Sequence, residues 1–165
     1  MAWTSRARLA LAALGASALM AGAAHAGTPI PKEGMSLAEV QTWLQGLGLP
    51  TKVSDDKSFF AATVGNQVIL VIPTDCANDR CRSLIYFYGI SYPTGVRPDD
   101  ASAHALMNGW NIKYRWARAF VNDQRNPAIA MDFAVSPGVD TDALNTSLID
   151  FVESMPLFRQ YLDQK

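Results

Sequence analysis

The chain has 165 residues, 14 Lys and Arg against 15 Asp and Glu, a formal net charge of −1 and 49% hydrophobic residues. That near-balance lacks the basic surplus that nucleic-acid binding calls for, so nucleic acid is not expected as a partner. Two cysteines are too few for a disulfide-built scaffold, and two cysteines with the distant His104 fall short of a zinc site, so no metal or other cofactor is expected.

The first residues read as a secretory signal. Arg6 and Arg8 supply a positive region, Leu9 to Ala23 is apolar, and Ala24-His25-Ala26 has small residues where a signal peptidase needs them. The apolar run falls short of the roughly 20 residues that span a bilayer, which favours a cleaved signal over an anchor. Cleavage is expected between Ala26 and Gly27. A lipoprotein would need a cysteine at that point, and the only cysteines are Cys76 and Cys81. Removing 26 of the 165 residues leaves 139, enough for one domain with its own core. No later apolar run is long enough for membrane insertion, so the expected location is the periplasm or outside the cell.

Residues 27–34 hold two prolines and read as a mobile leader, followed by one domain over 35–165. Ser36-Leu37-Ala38-Glu39 is a capping box, and Leu37, Val40, Trp43, Leu44 and Leu47 form one helical stripe that Gly48 and Pro50 end. Strands follow at Ser58–Val64 and Gln67–Pro73 around the Gly65-Asn66 turn, and at Ser83–Ser91. Val68 to Ile72 is apolar on both faces, which predicts a central strand covered on both sides. Asp99 and Asp100 open a second helix, from about Ala101 to Tyr114. Trp116–Val121 and Pro127–Val135 read as a hairpin. Asp140 or Thr141 caps a last helix, which Pro156 should kink or split near Ser154. The order α-β-β-β-α-β-β-α predicts an α+β domain, an antiparallel sheet of about five strands with three helices.

Few residues suggest chemistry. Cys76 and Cys81 flank a short hairpin, Ala77 to Arg80, whose strands would hold them within disulfide reach. Four residues between them on a hairpin do not match a redox pair at a helix start. His104 is the one histidine left after cleavage, with no nucleophile motif beside it, so no catalytic residue is assigned. The Asp55-Asp56 and Asp99-Asp100 pairs lack the calcium-loop pattern and suit turn solvation and helix capping. Asp79 to Arg82 and Asp123 to Arg125 are charged hairpin tips. Arg118 and Asp132 would pair across strands in the right register, on an otherwise Ala-rich face suited to helix packing or a dimer contact. Asn145-Thr146-Ser147 matches a glycosylation sequon that a bacterial-type exported chain has no reason to use.

Ser36 to Leu44, Arg82-Ser83-Leu84-Ile85-Tyr86-Phe87, Trp110-Asn111 ahead of Arg115 to Phe120, and Met131-Asp132 resemble, in order and texture, the YbjN-domain family of bacterial sensory transduction regulators. The match runs from about Lys32 to Tyr161. The resemblance implies a fold similar to type III secretion chaperones, often dimeric, and a non-enzymatic role in stress or sensory regulation. It carries over no site residues. The signal peptide and the cysteine pair depart from the family's cytoplasmic members.

The leading expectation is therefore an exported, non-enzymatic protein-binding, chaperone-like or sensory-regulatory domain, partnered by protein or by a second copy. The alternative is a periplasmic carrier of a small apolar ligand, held between sheet and last helix by Trp43, Tyr86, Tyr88, Trp110 and Phe151.

Overall fold

The computed structural model describes residues 27–92, 99–135 and 137–164. The signal segment, Ala26 included, lies outside them. The elements run β1 (Met35–Ser36), α1 (Leu37–Gly46), β2 (Thr51–Val53), β3 (Phe60–Val64), β4 (Gln67–Ala77), β5 (Arg80–Gly89), α2 (Asp100–Lys113), β6 (Arg118–Val121), β7 (Pro127–Ala134) and α3 (Thr141–Asp163). One antiparallel sheet has the order β2-β3-β4-β5-β7-β6, with β1 pairing β5 off that path. The α+β class and the three helices are as expected. The sheet has seven strands rather than about five, because β1 and β2 are too short, at two and three residues, to show a period in sequence.

Local chemistry sets the helix ends. The Ser36 hydroxyl accepts from the Glu39 amide, and the Glu39 carboxylate accepts from the Ser36 amide, closing the capping box. Asp99 and Asp140 cap α2 and α3, each accepting from a backbone amide 2.9 Å away. Pro156 does not split α3, which is one helix of 23 residues. Its ring removes one donor, but Val152, whose carbonyl loses that donor, is only partly buried and can turn to water.

All three helices pack on one face of the sheet. Val40, Trp43 and Leu44 of α1, Met107 and Trp110 of α2, and Leu144, Leu148, Phe151 and Phe158 of α3 share one core with Ile69, Val71, Leu84, Tyr86, Ile129 and Met131. The expectation that β4 is covered on both sides is corrected. β4 is central, and Ile69 and Val71 are fully buried. On the opposite face Leu70 and Ile72 are only partly buried, and Val68 is 54% exposed. No helix of the described residues lies over that face. An apolar run fits a two-sided strand but does not require one.

Residues 27–34, read as a mobile leader, are tied to the domain. The Ile30 amide donates to Val139, the Thr141 amide donates to Thr28, and Ile30 is buried. Gly34 lies flat against β5 at φ +88°, where a Cβ would fall 2.0 Å from the Cys81 carbonyl oxygen. Only glycine tolerates that approach.

Candidate functional site: the uncovered sheet face

Strand alternation places Val68, Leu70 and Ile72 of β4, Ile85 and Phe87 of β5, Ala128, Ala130 and Asp132 of β7, and Arg118 and Phe120 of β6 on the face without helices. Phe87 and Phe120 have ring centroids 6.0 Å apart on either side of β7. They close over Ala128 and Ala130, which explains why those alanines are buried on a face no helix covers. Arg118 and Asp132 form the cross-strand ion pair, at 3.3 Å, diagonal in the observed register. Both side chains are more than half exposed, so the pair is worth less than about 1 kcal/mol and serves as a polar border.

A groove of about 370 Å³ opens on this face. Val68, Leu70 and Phe87 give it an apolar floor, and Asn122, Gln124 and Asn126 from the β6–β7 turn line its rim. The Asn122 side chain accepts from the Asn126 amide at 2.9 Å and holds the turn. Asn126 Oδ1 is buried with no hydrogen-bond partner among the described residues. A wider groove of about 800 Å³ lies beside the cysteine hairpin, between Leu37 and Ala38 of α1, Lys57 and Ser58, and Ile72 and Pro73 of β4.

Cys76 and Cys81 face each other across β4 and β5, with Cα atoms 3.9 Å apart and the sulfurs bonded. The loop between these strands is shorter than the four residues read from sequence. β4 and β5 extend to Ala77 and Arg80, leaving Asn78-Asp79 alone, both at positive φ. That is the two-residue turn whose twist matches the strands, and Asn and Asp are among the residues that tolerate it.

The other candidate residues are used within the domain. Arg80 donates to the Gly34 carbonyl and pairs with Glu39 at 2.7 Å. The Ser36 amide, first, and then Arg80 hold the Glu39 carboxyl below its usual range. Arg82 pairs with Asp75 at 2.9 Å, and Arg125 with Asp100. Asp56 organises the β2–β3 turn through the hydroxyls of Ser54 and Ser58 and the Ser58 amide, which hold its carboxyl down at about 2. His104 is exposed on α2. Among the described residues no cluster of three His, Cys, Asp or Glu could hold a metal.

The five aromatic residues considered for a ligand pocket pack as core instead. Tyr86, Trp110 and Phe151 are fully buried, and Trp43 and Tyr88 nearly so. Tyr86 meets Phe151 at 5.7 Å, and its hydroxyl meets Ser147 at 2.9 Å. Burial pushes that hydroxyl's pKa well up, so it stays protonated. Trp43 donates to the Asn145 side chain at 2.8 Å, which occupies the sequon asparagine with a structural bond.

Sequence reasoning missed Asn111. Its amide donates to the Ala119 carbonyl at 3.0 Å, and its carbonyl oxygen accepts from the Ala119 amide at 2.6 Å. Trp110 Nε1 donates to the Ala117 carbonyl at 2.8 Å. Both side chains occupy the free edge of β6, where another strand would otherwise bind.

Residues 36–163 match a family model described as "Putative bacterial sensory transduction regulator", named YbjN. The chain belongs to the YbjN family. The Trp110-Asn111 and Arg115-to-Phe120 texture that resembled this family is, in this member, the fastening of α2 to the sheet edge. Among solved structures, the chain is similar to the Yersinia pestis type III secretion chaperone SycH in complex with a stable fragment of YscM2. Identity is 14%, coverage is 69% of this chain and 91% of that one, and the TM-score is 0.43. No curated protein matches. No helix of the described residues is long and apolar enough to cross a membrane.

Proposed function

We propose that this YbjN-family domain is an exported, non-enzymatic regulator that binds an apolar peptide segment of a protein partner on its uncovered sheet face. The observation that carries this reading is the one-sided sheet. All three helices cover one face, while the other presents Val68, Leu70, Ile72 and Phe87 beside an amide-lined groove. Amide side chains both donate and accept, so Asn122, Gln124 and Asn126 suit a peptide backbone, while the floor suits its apolar side chains. A carrier of a small apolar ligand is less favoured, because carriers enclose their ligand and the aromatic residues suited to that are packed together. Strand addition at an edge is also less favoured, since Asn111 and Trp110 occupy the β6 edge and β2 is three residues long. Export rests on the signal pattern of residues 1–26.

The test expresses the full precursor in its own cell with a photo-crosslinking residue at Val68, and separately at Ile149 on exposed α3 as control. The expected result is a UV-dependent adduct with one periplasmic protein from Val68 and none from Ile149. Purified partner, or a peptide from the crosslinked segment, should compete for the adduct. No adduct from Val68, or one with a second copy of this chain alone, overturns the peptide reading. Recovery of full-length protein from the cytoplasm only would overturn export.

A further inference from the structure

We propose that signal-peptide removal creates a structural ion site, in which the new α-ammonium of Gly27 is held by the carboxylates of Asp140 and Asp142 at the start of α3. The inference rests on the export reading and on cleavage between Ala26 and Gly27.

The geometry is specific to glycine. A Cβ at Gly27 would lie 2.8 Å from the Asp140 carboxyl carbon, 2.9 Å from that of Asp142 and 2.9 Å from the Asp142 backbone nitrogen. The first two neighbours could swing aside, but the third is helix backbone and could not. Gly27 is therefore seated against the two carboxyl groups, and its nitrogen is one bond away on the same Cα. The seat is fixed from the next residues on. The Thr28 amide donates to Thr141 Oγ1 at 2.9 Å, the Thr141 amide donates to Thr28 at 3.0 Å, Pro29 bridges to Asp140, and the Ile30 amide donates to Val139 at 2.9 Å.

In the precursor the Gly27 nitrogen is an uncharged amide, and among the described residues neither carboxylate has a salt-bridge partner. After cleavage that nitrogen carries a positive charge beside them. Asp140 already spends one oxygen on capping the Ala143 amide, which leaves its other oxygen for the ammonium. The partial positive charge of the helix start opposes a cation, but two full negative charges at the cap and first turn exceed it. Along the leader the next charged groups, Lys32 and Glu33, are exposed and pair with each other. Maturation would thus fasten the first residues to α3, and with them the Gly34 crossing over the cysteine hairpin.

The experiment uses protein matured from the full precursor and purified from the periplasm, with its first residue read by intact mass. Titration of the Gly27 α-protons by NMR then reads the ammonium directly. A free α-amine titrates near about 7.7–8.0, and the site should raise its proton affinity roughly threefold or more. Asp140→Asn with Asp142→Asn should return it to the ordinary range while keeping the helix, because Asn also caps. A raised folded pKa adds stability below the unfolded value and loses it as pH rises through the folded value. The Tm gap between wild type and the double variant should therefore be widest near neutral pH and close in alkali. An α-amine of ordinary affinity in wild type overturns the ion site and leaves export standing. A first residue other than Gly27 overturns both the site and the assigned cleavage point.

Discussion

Asn111 binds both backbone groups of Ala119, so one side chain satisfies a donor and an acceptor at the sheet edge. Ala119 is buried, so without Asn111 its amide and carbonyl lose their partners where water reaches poorly. Leaving such groups unpaired costs about 1–3 kcal/mol. Asn111→Ala should lower Tm by several degrees in a thermal melt. It should also expose the β6 edge, so light scattering should show concentration-dependent association that wild type lacks. An unchanged melt would mean that Asn111 is dispensable to the edge. Trp110-Asn111 was visible in the sequence as texture, but not its purpose, because the Ala119 backbone it binds is presented by another element.

At the scale of elements, the β4–β5 hairpin is the centre of the sheet and carries the disulfide at its tip. Replacing Cys76 and Cys81 together with Ser should cost about 2 kcal/mol, the entropy of closing so short a loop. The check is a urea melt of the oxidised wild type against the double variant. The paired strands should persist, because the Asn78-Asp79 turn and the ladder from Leu70 to Ala77 hold the register on their own. Loss of the fold would show that the staple, not the turn, sets the register. This hairpin also shows how far sequence reading reaches. The two cysteines and their closeness were readable from spacing, whereas the strand ends were not, since Ala77 and Arg80 read as loop residues until the pairing is seen.

At the scale of the whole molecule, the described residues fold as a one-sided sheet with their helices as a single layer. That leaves Val68, the second residue of β4, 54% exposed on an apolar face. Val68→Lys should change stability by no more than about 0.5 kcal/mol, since little buried area is lost. If the face holds an apolar peptide, the same change should lower affinity for the crosslinked segment at least about tenfold by calorimetry, because it puts a charge on the groove floor. Unchanged affinity would move the binding site elsewhere, with the groove beside the cysteine hairpin as the next surface to test.

The amino-acid sequence by itself determined what depends on neighbours along the chain. The capping box, the helical stripes, the Gly65-Asn66 turn, the antiparallel α+β class and the family texture all arise within a few residues of one another. Only the tertiary structure decided which side of the sheet the helices cover. A strand such as Val68 to Ile72 can serve a two-sided core or a one-sided one, and the choice depends on where distant helices dock. The same holds for the seat of Gly27 against Asp140 and Asp142, more than a hundred residues away. Contacts across such distances are set by the closure of the whole fold, not by any local pattern.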